Sequence, residues 1–104
     1  MPDNFIEIHR AQIISLAARN HVAAVYQLPV NVRDGGLLSY GADFADVFRR
    51  AASYVDRVLR GTMPSDLPVQ MPTTYTLAIN LKTAKALGLT IPQSILLRAD
   101  QVME

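Results

Sequence analysis

The chain has no cysteine and no tryptophan among its 104 residues. Without thiols it forms neither a thiolate metal site nor a cysteine nucleophile, and no disulfide staples it. It also lacks an excess of charge of either sign: 10 Lys+Arg stand against 9 Asp+Glu, a formal net charge of +1. A near-neutral chain is not built mainly to grip nucleic acid or an anionic membrane. No window approaches the ~18 consecutive apolar residues of a membrane span, so membrane insertion is not expected. Residues 1–5 (Met-Pro-Asp-Asn-Phe) show neither a basic n-region nor an apolar h-region, and the chain reads as having no secretory signal of its own.

What the chain does have is apolar content. Half of its residues are hydrophobic and 18% are charged, a composition that folds rather than stays disordered. The length allows one small domain. A domain of this size buries only roughly 60–65% of its unfolded surface, so apolar packing must hold it, within the chain or shared with a partner.

Residues 5–19 read as an amphipathic helix, with Ile6, Ile13, Leu16 and Ala17 near one face and Asp3 or Asn4 as its cap. Residues 22–26 (Val-Ala-Ala-Val-Tyr) follow as a near-continuous apolar strand, the pattern of a parallel strand covered on both faces. Residues 28–36 read as a loop, because Pro29 removes a donor and Asp34-Gly35-Gly36 tolerates positive φ. Residues 37–40 form a second short strand closed by Gly41.

The strongest pattern lies in residues 43–60. Phe44, Val47, Phe48, Ala51, Val55, Val58 and Leu59 fall on one helical stripe, with Asp43 as N-cap and Gly61 as stop. Asp46–Arg50 and Asp56–Arg60 sit at i,i+4 with the acid first, the favourable order. Residues 62–72 carry Pro64, Pro68 and Pro72 and read as an extended crossover. Residues 73–79 read as a strand, and Asn80 caps a helix over 81–87 that Gly88 ends. Pro92 opens a last helix to about Arg98, and residues 100–103 suit a final strand. The chain thus divides into an αβ-β-α unit over 1–61, a crossover over 62–72 and a strand with a helical hairpin over 73–104. The fold class is α/β, a short, mostly parallel sheet flanked by helices.

Chemistry-bearing clusters are scarce. His9 and His21 stand far apart, and neither has a carboxylate at i+3 or i+4 to complete a metal set. Ser39 lacks the Gly-x-Ser-x-Gly frame of an esterase elbow. Asp43 and Asp46 suit the start of a helix better than acid–base work. No phosphate-binding glycine motif is present. Neither an enzyme nor a bound cofactor or metal is expected. Residues 81–98 mimic a helix-turn-helix with Gly88 at the turn, but Ile95-Leu96-Leu97 fills the would-be recognition helix with core-seeking side chains.

In an open α/β sheet, ligands sit beyond the carboxyl ends of the strands. Here those positions hold Tyr26 and Gln27 after the first strand, and Ser39 and Tyr40 at the end of the second. The Asp34-Gly35-Gly36 turn lies between them. A tyrosine pair suits a small polar or aromatic molecule, and it equally suits packing at a sheet edge.

Ordered blocks along the chain carry a resemblance. They are His9-Arg10-Ala11, Ala17-Ala18-Arg19-Asn20, the run from Arg33 through Asp34-Gly35-Gly36 to Gly41, and Arg49-Arg50-Ala51-Ala52-Ser53-Tyr54-Val55-Asp56-Arg57. Asp66-Leu67-Pro68-Val69-Gln70 and the run from Ile79 through Asn80-Leu81-Lys82-Thr83 to Leu89 continue the series. Together they resemble the C-terminal third of ABC transporter substrate-binding proteins. The resemblance implies a fragment of a Rossmann-like, two-lobed type I periplasmic-binding-protein architecture. It also implies a small ligand such as an amino acid gripped by lobe closure, and delivery to an ABC permease. By resemblance the location is periplasmic; read as written, without a leader, the chain would stay in the cytoplasm. Such proteins run to roughly three times this length, which is beyond a single small core, so the sequence reads as a truncated form. The expected consequence is a homo-oligomer that hides the uncovered stripe of residues 43–60. The alternatives are a stand-alone oligomerisation module and a small DNA-binding protein using 81–98. The residues do not name the ligand.

Overall fold

The computed structural model describes residues 3–104. It is an α/β fold with four strands, β1 (Val25–Tyr26), β2 (Leu38–Ala42), β3 (Tyr75–Asn80) and β4 (Gln101–Met103), in the spatial order β1-β2-β3-β4. β1 runs parallel to β2 with Tyr26 opposite Ser39, and β3 runs parallel to β4 with Ile79 opposite Val102. The helices are α1 (Asn4–Ile8), α2 (Arg10–Arg19), α3 (Pro29–Arg33), α4 (Phe44–Leu59), α5 (Leu81–Ala86) and α6 (Gln93–Leu96). The chain groups into two compact units, one of residues up to Gly41 together with Thr76–Glu104, the other Ala42–Tyr75. This grouping is not sequential, unlike a division at residues 61 and 72.

In the first unit, Ile14, Val32, Leu37, Ala78, Ile79 and Ala84 form the buried apolar core. Asn80 ties it together. Its backbone N–H donates to the Leu37 carbonyl at 2.9 Å and its side-chain amide donates to the Val32 carbonyl at 3.1 Å. Its Oδ1 accepts from the Thr83 N–H at 3.0 Å, capping α5 as the sequence suggests. Thr83 Oγ1 then donates to the Gly35 carbonyl at 2.9 Å. Asp100 pins β4 from both ends, its N–H donating to the Leu77 carbonyl and its carboxylate accepting from the Leu77 N–H, both at 2.8 Å.

Five expectations need correction in this unit. The helix expected over 5–19 breaks at His9, whose Nδ1 bonds the Phe5 carbonyl at 2.8 Å and whose ring lies 4.3 Å from that of Phe5. The buried member of α2 is Ile14, not Leu16, and Ile14 with the half-buried Ala17 at i+3 marks the inner face. The 28–36 loop contains α3, because Pro29 takes the first helical position, where its missing N–H is no loss. The strand expected over 22–26 shortens to two residues, and Val25 is 70% exposed. β1 is the edge strand, so its apolar run lacks the covering expected on both faces. The last helix also ends at Leu96 rather than near Arg98.

In the second unit, α4 follows the sequence closely. Asp43 Oδ1 accepts from the N–H groups of Ala45 and Asp46 at 2.9 and 3.3 Å, and the helix stops before Gly61. Asp56–Arg60 forms at 2.9 Å and Asp46–Arg50 at 4.0 Å; both are surface pairs of small energetic weight. Residues 68–73 lie along α4 as a strap. Arg50 donates to the Gln70 side chain at 2.9 Å, to the Met71 carbonyl at 3.3 Å and to Thr73 Oγ1 at 3.4 Å. The Tyr54 hydroxyl donates to the Pro68 carbonyl. A 3-10 turn, Pro64–Asp66, interrupts the otherwise irregular 62–72 segment. No residue from 42 to 75 is buried, and the stripe leaves Phe48 72% and Leu59 82% exposed.

Asn80→Ala removes the α5 cap and the buried amide donor together, and is expected to lower unfolding stability by about 2–3 kcal/mol. Asn80→Ser keeps a capping oxygen and loses the amide donor without adding charge. Urea denaturation should therefore rank wild type above Asn80→Ser and Asn80→Ala lowest.

Candidate functional site

The residues singled out from the sequence separate in space. Tyr26, Gln27 and Tyr40 come together, and with Glu7, Asn31 and the apolar side chains of Ile6, Ile13, Ala24 and Val25 they line one open recess of about 530 Å³. That volume suits a small organic ligand. The recess lies among residues of α1, α2 and α3 and those in and beside β1 and β2.

Asp34 is not among its lining residues. The carboxylate accepts from Arg10 Nε at 2.7 Å, and this hydrogen bond, reinforced by the charge of Asp34, holds the guanidinium protonated above its ordinary range. Both flank a different hollow, with Asn4, Ile8 and Ala11. Gly35 gives its carbonyl to Thr83.

Gly36 supports the site from behind. A Cβ there would lie 2.7 Å from the Tyr26 ring and 2.8 Å from the Asn31 carbonyl, so only glycine lets the ring seat against this turn. Gly41 acts likewise. A Cβ at that position would meet the Gln27 carbonyl at 2.5 Å, so β2 passes Gln27 more closely than any larger residue permits. Ser39 is fully buried in β2, and its Oγ has no hydrogen-bond partner among the described residues.

Two members of the recess, Glu7 and Asn31, escape sequence reasoning. Glu7 reads as one of many polar residues on a helix, and Asn31 reads as loop until Pro29 is recognised as a helix start. Asn31 is 1% exposed; its Nδ2 donates to Glu7 Oε1 at 3.4 Å, and its Oδ1 has no partner among the described residues. An ionised carboxylate only accepts, which fixes the amide nitrogen toward Glu7 and leaves the oxygen as the unused end.

The other hollows fit a ligand less well. A groove of about 180 Å³ on the second unit is lined by Val47, Ala51, Met71 and Pro72, and the polar groups of Arg50 and Tyr54 at its edge are already bound to the strap. Among the described residues no three His, Cys, Asp or Glu side chains cluster as a metal site. No helix is long and apolar enough to cross a membrane. α5 and α6, with 6 and 4 residues, are too short to serve as a helix-turn-helix pair lying in a DNA groove.

The family model for ABC transporter substrate binding protein matches residues 1–103. The chain belongs to that family. A conserved domain protein from Vibrio cholerae has a similar structure, with a TM-score of 0.88 at 30% identity over 96% of this chain. An ABC domain from Streptococcus pneumoniae in complex with L-Trp has a TM-score of 0.85 at 33% identity over 97% of it. A substrate binding protein with adhesive properties from Clostridium difficile, in its ligand-free open form, shares the fold at 21% identity and a TM-score of 0.63. The chain spans only 34–35% of the length of these neighbours. No curated protein matches it. Fold and family thus agree with the resemblance carried by the sequence blocks.

Burial raises the Tyr26 phenol above its ordinary value of 10.0. A group held protonated by the fold stabilises it fully below the unfolded value, and this contribution is lost as pH rises through the folded one. Stability should therefore fall above about pH 10 in the wild type, and Tyr26→Phe should flatten that fall. Thermal melts from pH 8.5 to 11 test the sign.

Proposed function

We propose that the chain supplies part of the ligand-holding body of an ABC uptake system, and that the recess around Tyr26, Gln27 and Tyr40 is one wall of the ligand cleft. The family match over 1–103 and the L-Trp bound to a neighbour of 33% identity support a solute-binding role. The observation that carries the assignment to this recess is the meeting of Tyr26, Gln27 and Tyr40 with Glu7 and Asn31 around one hollow.

The ligand is a small molecule such as an amino acid. A second wall, contributed by sequence that the neighbours have beyond this third, closes over it by lobe movement. The loaded protein then meets an ABC permease, which places its work outside the cytoplasm. Binding of this kind breaks no covalent bond, so the chain is not an enzyme.

A single wall gives a weak site, because one-sided burial leaves much of a ligand in water. Calorimetric titration of the 104-residue chain with L-Trp should give a dissociation constant in the millimolar range or weaker. A micromolar value would show that the recess alone suffices and would remove the need for closure.

The exposed Phe48 and Leu59, on a unit with no buried residue, favour self-association of the chain studied by itself. Sedimentation at micromolar concentration should show dimers or larger species. A compact monomer would contradict this, and Phe48→Glu should shift the distribution toward monomer.

A further inference from the structure

The charged lining of the recess has one electrical sense. Glu7 supplies a carboxylate, and among the described residues no Lys, Arg or His lines the recess. The nearest guanidinium, Arg10, feels the charge of Glu7, but it spends its hydrogen bond on Asp34 at 2.7 Å. Around Arg10 there are thus two carboxylates for one cation, and the surplus negative charge falls on Glu7. Behind Glu7 the Asn31 Nδ2 donates to the carboxylate at 3.4 Å and holds it in place. The Glu7 charge favours a positively charged N–H donor over an anion. Apart from the Gln27 amide, the rest of the lining is apolar or aromatic, chiefly Ile6, Ile13, Val25, Tyr26 and Tyr40.

We propose that this recess is an ammonium subsite: it takes the protonated amine of a ligand with an aromatic or apolar body, with Glu7 as counter-ion, and offers no cationic partner to a ligand carboxylate. The proposal rests on the reading of the recess as a ligand wall and adds which end of the ligand this wall recognises. A zwitterion bound between two walls would place its ammonium here and its carboxylate elsewhere.

Three indole probes separate the possibilities. Tryptamine has the amine alone, indole-3-propionate has the carboxylate alone, and L-Trp has both. Each is titrated at pH 7 into the 15N-labelled 104-residue chain while the amide signals of Tyr26, Gln27, Asn31 and Tyr40 are followed. Tryptamine should shift them at millimolar concentration, L-Trp no more tightly than tryptamine, and indole-3-propionate at least tenfold more weakly. Glu7→Gln should weaken tryptamine about tenfold, the loss expected for a charge-assisted contact, while Glu7→Asp, which keeps the charge, should retain the order of the probes. The Asp variant holds the test open if the Gln variant folds poorly. Should indole-3-propionate bind as well as tryptamine, or L-Trp bind tenfold tighter than it, the ammonium assignment fails while the recess remains a ligand wall. If no probe moves any of the four signals, the wall assignment fails with it.

Discussion

The three hydrogen bonds of Asn80 set the geometry on which the first unit depends. One side chain at the end of β3 starts α5, holds the last turn of α3 through the Val32 carbonyl, and its N–H fixes the entry to β2 through the Leu37 carbonyl. It is 9% exposed, so each of these bonds is made largely out of water, where leaving a partner unmade costs about 1–3 kcal/mol. Only an amide does this work with one residue. Aspartate has no donor for Val32, and serine is too short to offer separate donor and acceptor ends.

That hub reaches the recess through backbone. Fixing the Val32 and Leu37 carbonyls fixes the short turn between them, in which the Gly36 N–H donates to the Asn31 carbonyl at 2.8 Å. The same turn presents the bare face of Gly36 to the Tyr26 ring and buries the Asn31 side chain beside Glu7. A substitution at Asn80 would disturb the recess without touching it. Glycine at 36 and asparagine at 80 are therefore two parts of one constraint, one supplying space and the other position.

Much of this was legible in the sequence where a residue acts locally. The α4 stripe, its Asp43 cap and the Asn80 cap follow from period and capping chemistry. Asn31 was not legible, because its role depends on Pro29 starting a helix, and a proline after Leu28 reads as readily as loop. Val25 misleads for another reason: an apolar run reports the environment a strand is suited to, and this chain leaves β1 at the edge. Asp34 misleads as well. A turn residue between two strand ends looks free for a ligand until Arg10, 24 positions earlier, claims its carboxylate. Long-range ion pairs leave no periodic trace.

The second unit shows the same limit in energetic terms. Its helix has a full apolar stripe, yet nothing from 42 to 75 is buried. Covering a side chain such as Phe48 or Leu59 would contribute roughly 1.5–3 kcal/mol, and here that gain is not taken. What orders the strap is polar: the Arg50 fan, the Tyr54–Pro68 bond, and the Asp43 N–H donating to the Thr74 carbonyl at 2.9 Å. Such bonds add about 0.5–1.5 kcal/mol net each, while fixing a backbone residue costs about 1–2. Three prolines lower that cost by restricting the unfolded chain, but the balance stays thin without a partner for the stripe. A family member of nearly three times this length has enough sequence to provide one. The amphipathic pattern of α4 is thus that of a helix suited to meet a further apolar surface.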